Sequence, residues 1–398
     1  MGFWLGVFAF IAGITVSVVL HEAGHLVFAR RFGMKATQFF VGFGPTIWSF
    51  RRGETEYGFK WILLGGYVKI LGMTPLEPLD PADEPRAFHR ARPVHRAIVL
   101  AAGSLVNVLL AFVLLVLLAS TLGVRGPADV VTVVAKVSAC VPTVPGEPCR
   151  PGDPVSPARA AGLRSGDRIV AFAGRPVGNW AQLEAALRRA APGPTPITVE
   201  RDGSPVVLDA VLVRSPTGHG AFLGMSPRVI PGRLDRMNPI EAGGYSLGAI
   251  GQLVSGMGGV VADLPSALPK LFTPERASTP GGEVASIVGA GRLSGELAEA
   301  GGTWQDGVRA ILLLIASLNV FLGLFNLLPL LPLDGGHLAV LAYERGRAGA
   351  ARLRGRPDPG PVDYAKLTPI TVAGLLLLLG LGLLLIAADI VNPLKVLQ

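Results

Sequence analysis

Four long runs of apolar residues divide the chain, and they set the first prediction. A bilayer core about 30 Å thick requires roughly 20 apolar residues of helix. The runs cover residues 3–20, about 97–124, about 308–333 and about 369–391. The first run has no positive residues before it and no small-residue cleavage site after it, so it is interpreted as a membrane span and not as a signal peptide. The pattern predicts a polytopic α-helical membrane protein with four transmembrane helices.

Composition supports a membrane protein. Of the 398 residues, 50% are hydrophobic and 16% are charged, against roughly 25% charged in soluble proteins. The chain also contains 52 Gly and 33 Pro, too many for a bundle of uninterrupted helices, so some backbone must break or re-enter at membrane depth. The net charge is +8, but no dense basic cluster with interleaved aromatics is present, and we expect no nucleic-acid partner.

The excess positive charge predicts topology. Lys and Arg concentrate between the first and second spans, and again between the third and fourth spans. Because short loops rich in Lys and Arg stay inside the cell, both loops are predicted to be cytoplasmic. Both termini and the long segment from about residue 125 to 307 are then extracytoplasmic, in a multi-pass protein of the cell membrane.

The first span ends in ionisable residues that can bind a metal ion. It reads HEAGH, with His21 and His25 four residues apart and Glu22 between them. A helix places residues four apart on one face, so both imidazoles can reach one ion. HExxH is the zinc-protease signature, and ionisable groups within a membrane helix normally mark function. We therefore expect zinc as the cofactor and Glu22 as the catalytic residue.

Catalytic zinc usually has a third protein ligand. The third span ends in NLLPLLPLDGGH, whose two prolines and two glycines predict an unwound segment containing Asp334. Asp334 is the leading candidate for the third ligand. His337 is a rival, but it is expected to belong to an emerging cytoplasmic helix, and Asp389 lies at the far end of the fourth span, on the other side of the membrane.

Three buried amides accompany these residues. Asn326 lies close to Asp334 in sequence and is expected to bind substrate or a developing oxyanion. Asn319 is expected to tie helices together. In the second span, Gly103 and Asn107 stand four residues apart, a spacing interpreted as helix packing.

With HEAGH in the first span and NLLPLLPLDGG in the third, the chain resembles the site-2 proteases, the intramembrane zinc metalloproteases. The segments VGFGPTIWSFRRGETEYG and LLGGYVKILGM resemble the actinobacterial branch. The resemblance implies that His21, His25 and Asp334 bind zinc, that Glu22 is the general base, and that Asn326 lies in the substrate groove. Pro332 stands six residues after Asn326, whereas the corresponding proline in many relatives stands five residues after the Asn. This difference is expected to affect the geometry of the bound substrate and not the zinc ligands.

The segment 36–95 alternates and turns like short strands around Arg52–Gly53 and Gly65–Gly66. An isolated cytoplasmic hairpin is one interpretation. The family resemblance implies instead a membrane-associated β-hairpin region that re-enters beside the zinc and pairs its edge with an unwound substrate, which makes Gly65 and Gly66 candidate substrate-binding residues. Leu63 or Leu64 replaces a proline that commonly precedes this Gly-Gly pair in the family.

The extracytoplasmic segment begins with the strand-like VVTVVAKV and continues with SPARAAGLRSGDRIVAF and, further on, ITVERDG. This pattern resembles one PDZ domain, an α+β fold that binds chain ends or strands. It is expected either to capture a substrate already cut outside or to exclude bulky ones; a PDZ ligand or an adaptor is a further expected partner. Cys140 and Cys149 flank a Pro-rich insertion, VPTVPGEP, where oxidation is permitted, so a small disulfide loop is expected. The Gly-rich stretch that follows is expected to be a membrane-surface helix or a clamp over the substrate.

The predicted order along the chain is a first transmembrane helix with HExxH (1–35), a cytoplasmic or re-entrant β region (36–95), a second transmembrane helix (96–126), an extracytoplasmic PDZ domain (127–228), an extracytoplasmic membrane-associated segment (229–306), a third transmembrane helix with LDGG (307–341), a cytoplasmic basic loop (342–368), and a fourth transmembrane helix with its tail (369–398).

Together these features predict an intramembrane zinc metalloendopeptidase that cuts transmembrane helices in regulated intramembrane proteolysis. By the family resemblance its partners are single-pass membrane proteins of the anti-sigma-factor type, already cut on the outside, within the lipid bilayer. A HExxH protease acting on soluble or lipidated peptides is an alternative, but such enzymes usually take a Glu as third ligand. A scaffold or metal transporter is another, and Glu22 argues against the scaffold because only catalysis requires it.

Overall fold

The structure is a computed structural model that describes residues 2–73, 79–126, 128–142, 149–215, 220–273, 276, 279–282, 284–299, 303–357, 359–360 and 362–394. Its helices are α1 (Gly2–Arg31), α2 (Pro93–Thr121), α3 (Pro157–Ala160), α4 (Trp180–Arg189), α5 (Pro239–Ala267), α6 (Ile287–Glu299), α7 (Trp304–Asn326), α8 (Asp334–Leu353) and α9 (Tyr364–Val391). Its strands are β1 (Ala36–Arg52), β2 (Thr55–Ile70), β3 (Val124–Arg125), β4 (Asp129–Val137), β5 (Arg168–Phe172), β6 (Arg175–Pro176), β7 (Gly193–Arg201), β8 (Ser204–Arg214), β9 (Ala221–Phe222), β10 (Met225–Ile230) and β11 (Leu234–Asp235).

Residue contacts divide the chain into two compact units. The first contains Met1–Leu122, Met237–Leu271 and Pro280–Gln398. The second contains Gly123–Arg236 and Phe272–Thr279.

Among the described residues of the first unit, the helices α1, α2, α7 and α9 are long and apolar enough to cross a bilayer. The four predicted spans are therefore helices. The shortest, α7, has 23 residues, which at 1.5 Å per residue covers about 35 Å. Helix α9 begins earlier than predicted because the Asp363 side chain caps it by accepting a hydrogen bond from the backbone N–H of Ala365. A bent pair, Pro239–Val260 and Ala262–Lys270, meets at 43° and would be a fifth candidate if counted as one span.

The third span ends sooner than the apolar run predicts. Helix α7 stops at Asn326, residues 327–333 form turns, and α8 begins at Asp334. The unwound segment was predicted correctly, but Asp334 is the first residue of the next helix and does not lie inside the break. Proline disfavours the helical conformation of the residue before it and lacks a backbone N–H, so Pro329 and Pro332 together weaken any continuation of the helix.

The turn segment is packed tightly onto α8. A Cβ atom added at Gly335 would lie 2.2 Å from the backbone of Leu327, and one added at Gly336 would lie 2.6 Å from the backbone nitrogen of Leu331. These close approaches require glycine at both positions. The Gly-Gly pair thus fixes where α8, and with it Asp334, begins.

Small residues bring the membrane helices together. A Cβ atom at Gly24 of α1 would lie 2.9 Å from the carbonyl oxygen of Ala102 on α2, and one at Gly323 of α7 would lie 2.9 Å from the carbonyl oxygen of Ser104. Backbones can approach this closely in a membrane only where side chains are absent. Helix α2 therefore packs directly against both α1 and α7.

Asn319 connects α7 to α1, as expected. Its Nδ2 donates a hydrogen bond of 2.8 Å to Ser17 Oγ and another of 2.8 Å to the carbonyl of Ile315. Both side chains are buried, with 0% and 1% of their surface exposed for Asn319 and Ser17 respectively. The amide is structural.

Strands β1 and β2 pair with each other in more than one way. Residues 46–52 pair with residues 55–60 across the connecting turn. Residues 38–41 pair with two parts of β2, residues 56–59 and residues 66–69. Each strand therefore bends in the middle, and its two halves take separate places in the sheet, whose order is residues 46–52, 55–60, 38–41 and 66–70.

The bends fall at glycines. Gly42 and Gly65 have φ angles of +92° and +99°, which L side chains rarely adopt. Gly65–Gly66 was predicted to lie at a turn between short strands, whereas it lies at a bend within one long strand, because the backbone stays extended on both sides. After the bend, residues 66–70 form an outer edge: among the described strands, only β1 pairs with them.

The long segment before α7 folds as two helices. Helix α5 starts at a capping box formed by Asn238 and Glu241, and its Ile250 packs in a cluster with Ala111 and Leu115 of α2. Helix α6 packs on α1, where Ser294 Oγ donates a hydrogen bond to the carbonyl of Gly6. Both helices are thus part of the first unit.

The second unit contains a sheet in the order β10-β4-β5-β7-β8-β9, with β6 paired to β5, and the short helices α3 and α4. Alternate residues of β7 enter a core with Ile169 of β5 and Leu183 of α4. Asp167 is 2% exposed and receives hydrogen bonds from Arg201 Nε and Nη2, both at 2.7 Å. These bonds hold the pKa of the Asp167 carboxyl below its usual range.

The two cysteines of the second unit are joined. Cys140 and Cys149 form the expected disulfide. Most of the Pro-rich insertion between them, residues 143–148, lies outside the described residues.

Candidate metal centre

Helix α1 supplies two imidazoles on one face. His21 and His25 are each 8% exposed, and their Nε2 atoms lie 3.2 Å apart. This follows from the four-residue spacing, which stacks the two side chains one helical turn apart. The two nitrogens therefore face one point.

Asp334 completes a triangle. Its Oδ2 atom lies 3.4 Å from His21 Nε2 and 3.3 Å from His25 Nε2. For zinc with bonds of about 2.0–2.1 Å, the edge of a coordination tetrahedron is about 3.3–3.4 Å. The three observed edges fit that figure, so the three donor atoms fit three corners of a tetrahedral zinc site.

The surroundings set the tautomer of His25. Its Nδ1 lies 2.7 Å from the carbonyl oxygen of Val99 on α2. A carbonyl oxygen can only accept, so Nδ1 carries the proton and the lone pair of Nε2 is available to a metal. Helix α2 thereby orients a ligand of the centre from outside the cluster.

Gly103 of α2 lies against both imidazoles. A Cβ atom at this position would be 2.4 Å from His25 Nε2 and 2.6 Å from His21 Nε2. No side chain fits there without moving the rings. The sequence had predicted only a helix-packing role for this glycine. In the structure its backbone also forms a wall of the metal centre.

Glu22 points towards the β region. Its carboxyl lies near the backbone of Val68 on β2, and its Cγ lies 3.0 Å from the position that a Cβ atom of Gly66 would occupy. The bare glycine allows the strand and the carboxylate to approach. Glu22 therefore lies between the two imidazoles and the outer edge of the hairpin.

A cavity of about 410 Å³ opens beside these groups. The residues expected at the site that line this cavity are His21, Glu22, Gly65, Gly66, Asn326 and Asp334. His25, the remaining expected residue, does not line it. Asn326 Nδ2 lies 3.3 Å from His21 Nε2. Asn107 of α2 also lines the cavity, although the sequence had assigned it to helix packing.

Two other ionisable groups near the ends of spans, His337 and Asp389, are not part of this cluster. His337 belongs to the first turn of α8, as expected, and is outside the cluster formed by His21, His25 and Asp334. Asp389 is buried near the end of α9, where it accepts a hydrogen bond of 2.6 Å from the backbone N–H of Ser286. Among the described residues, Asp334 therefore lies beside the two imidazoles, and its rival His337 does not belong to the cluster.

Comparison with known proteins places this centre in context. The sequence matches peptidase family M50 over residues 9–355. It is 37% identical to the zinc metalloprotease Rip1 of Mycobacterium tuberculosis strain H37Rv over 415 aligned residues, which cover 100% of both chains. It is also 37% identical to the zinc metalloprotease Rip1 of Mycolicibacterium smegmatis over 418 aligned residues, again 100% of both chains.

Proposed function

The chain belongs to peptidase family M50, the site-2 protease family, and we propose that it cuts transmembrane helices of other membrane proteins within the bilayer. It is a multi-pass membrane zinc metalloprotease, as its candidate spans and its relatives show. The observation that carries the proposal is the position of the metal-ligand triangle. Two of its members lie in the apolar helix α1, and the third follows directly after the break that ends α7.

We assign His21, His25 and Asp334 as the zinc ligands. The fit of their donor atoms to a tetrahedral edge supports this assignment. Zinc bound there supplies Lewis-acid polarisation of a peptide carbonyl and makes water a better nucleophile at neutral pH. The protein holds the ligands, closes the site with α2 and leaves the cavity side open.

Glu22 is the general base in this proposal. Its carboxylate takes a proton from the attacking water, whose oxygen bonds to the carbonyl carbon of the scissile peptide. The same carboxyl then returns the proton to the leaving amine as the carbon–nitrogen bond breaks. The Asn326 amide, beside His21, donates a hydrogen bond to the carbonyl oxygen, which carries the developing negative charge.

The hairpin edge has a physical purpose in this scheme. A helical peptide bond is shielded, and its carbonyl is already hydrogen-bonded, so a protease needs its substrate extended. The outer edge at residues 66–70 lies beside Glu22 and offers strand pairing to an unwound segment. Gly65 and Gly66 line the cavity at this edge, and we assign them to substrate binding.

The primary test compares the wild type with Glu22→Gln after reconstitution into liposomes with a single-pass helical substrate. Loss of a general base lowers the cleavage rate by about 10²- to 10⁴-fold, while zinc content should stay unchanged. Glu296→Gln, which alters a partly exposed carboxylate of α6 that pairs with Arg292, serves as the matched control. Equal cleavage by the Glu22→Gln variant with zinc bound would remove Glu22 from this role.

We propose that both termini and the second unit are extracytoplasmic, and that the two basic loops are cytoplasmic. The disulfide between Cys140 and Cys149 supports this sidedness, because disulfides persist in oxidising compartments. A membrane-impermeant maleimide should label Arg175→Cys in intact cells and Arg354→Cys only after permeabilisation, since both positions are exposed. The reverse pattern would overturn the topology.

We propose that the second unit is a PDZ domain. A groove of about 460 Å³ runs between α4 and residues 221–225, with Trp180 and Leu187 on its helix side. A groove between a helix and a strand is the place where such domains take a chain end or an added strand. Here it would capture substrates already cut outside, exclude bulky ones, or hold an adaptor.

The proposed substrates are single-pass membrane proteins of the anti-sigma-factor type, already cut on the outside, in regulated intramembrane proteolysis. This choice rests on the resemblance to site-2 proteases. Membrane proteomics of cells that carry Glu22→Gln in place of the wild type should show truncated single-pass proteins accumulating. Accumulation of full-length proteins alone would contradict the requirement for a first cut.

A further inference from the structure

Asn107 is a buried polar residue that the helix packing does not explain. It lies in the middle of α2, is 2% exposed, and its Oδ1 has no hydrogen-bond partner among the described residues. An amide oxygen buried without a partner destabilises a protein by its desolvation. Asn319 Oδ1 also lacks a partner among the described residues, but its Nδ2 joins two helices by donating to Ser17 Oγ. Neither polar atom of the Asn107 side chain has a hydrogen bond to another described residue.

The cavity lies on the Asn107 side of α2. Asn107 lines it together with Glu22, Asn326 and Asp334. Gly103, four residues earlier and therefore on the same helical face, touches both imidazoles. One face of α2 thus presents first the wall of the metal centre and then, one turn further, a carboxamide.

Helix α7 packs against the base of the Asn107 side chain. Gly323 of α7 lies so close to α2 that its Cβ atom would be 2.9 Å from the carbonyl oxygen of Ser104 and 3.5 Å from Asn107 Cβ. The absence of a side chain at Gly323 lets α7 hold Asn107 in place. Asn326, three residues beyond Gly323, lies on the same side of α7.

We propose that the Asn107 carboxamide hydrogen-bonds the peptide backbone of the substrate next to the scissile bond. This inference rests on the proposed proteolytic function. An extended substrate paired with the hairpin on one edge still has N–H and C=O groups on its other edge, and in a cavity within the membrane these need partners. A carboxamide has one donor and one acceptor group, so it can pair with a peptide unit whatever the side chains are.

The experiment replaces Asn107 with leucine, which has nearly the same shape and no polar atoms. We expect kcat/KM for the helical substrate in liposomes to fall by about ten- to a hundred-fold, because a backbone group of the substrate loses its partner. Zinc content should stay at the wild-type value. The thermal midpoint should stay the same or rise, because an unpaired buried amide is removed. Ser104→Ala is the matched control, since Ser104 Oγ is equally buried and unpaired among the described residues but does not line the cavity.

A binding measurement makes the test independent of turnover. In the Glu22→Gln background, the Kd of a fluorescein-labelled single-pass substrate peptide should rise with Asn107→Leu and not with Ser104→Ala. Wild-type kcat/KM and Kd in the Asn107→Leu variants would overturn the proposal. So would a loss of cleavage that comes with lost zinc or a lowered midpoint, because that is the result of a structural role. If wild type and Glu22→Gln cleave equally, the proteolytic function itself fails, which is a separate outcome.

Discussion

Gly103 offers the sharpest test of the metal centre, because a single methyl group added there would enter the ligand set. In Gly103→Ala the new Cβ atom would lie 2.4 Å from His25 Nε2 and 2.6 Å from His21 Nε2. Ordinary contacts between heavy atoms lie at about 3.5–4.0 Å, so the rings must retreat by about 1 Å. A metal site tolerates changes of only about 0.2 Å in its distances.

The expected result is a large loss of zinc affinity. Disturbing the groups around a zinc site typically costs about 10- to 100-fold in affinity, and moving two ligands directly should reach at least that range, or about 1.4–2.8 kcal/mol. The measurement is zinc bound per protein, by mass spectrometry, across a series of chelator-buffered zinc concentrations. Cleavage should fall in proportion to the zinc lost.

The control makes the same change where there is room. Gly380 of α9 has no atom within 4 Å of the position that a Cβ atom would take, so Gly380→Ala should bind zinc like the wild type. Alanine favours helix over glycine by about 1 kcal/mol, so lost affinity in Gly103→Ala could not come from weakening α2. Zinc affinity equal to the wild type in Gly103→Ala would show that α2 does not form a wall of this centre.

Further predictions concern the third ligand, the helix contact and the second unit. Asp334→Asn keeps the shape of the side chain but removes its charge, and we expect zinc affinity to fall by about tenfold or more in the same titration; unchanged stoichiometry would exclude Asp334 as a ligand. Asn319→Ala removes the donor to Ser17 and should lower the free energy of unfolding by about 0.6 kcal/mol, with an upper value near 1.7; an unchanged unfolding curve in detergent would contradict the contact. Hydrogen bonds from Arg201 lower the pKa of Asp167 in the folded protein. The pair therefore stabilises the second unit fully at pH values above the ordinary Asp pKa of about 3.9. This stabilisation is lost as the pH falls through the lower folded-state pKa. The protection factors of amides in β5 and β7, which correct for the slower intrinsic exchange in acid, should therefore fall in the wild type below about pH 4 and already be lower at neutral pH in Asp167→Asn; equal protection factors at neutral pH would refute the argument.

Local features of the structure could be predicted from the sequence because short-range rules decide them. The apolar runs gave the four candidate spans, since a helix of that length and hydropathy satisfies its own backbone in a membrane. The spacing of His21 and His25 gave their shared face. The prolines and glycines before Asp334 gave the break after α7, although the helix ends at Asn326 and not at the end of the apolar run.

Contacts between distant segments needed the tertiary structure. The sequence left Asp334 as the leading third ligand and His337 as its rival, and the packing of α8 against α2 brought only Asp334 of these two to the imidazoles among the described residues. The double pairing of residues 38–41 was equally hidden, because a strand pattern does not specify its partners. The direction of the outer edge at residues 66–70 followed from that pairing.

Helix α2 shows the same division most clearly. Its sequence determined an apolar helix with a glycine and an amide four residues apart, a pattern that fits packing in any membrane bundle. Only the packing of α2 against α1 and α7 places Gly103 beside the imidazoles and Asn107 at the cavity. The physical reason is that periodicity fixes which residues share a face of a helix, whereas the neighbours of that face depend on contacts with segments far away in the chain.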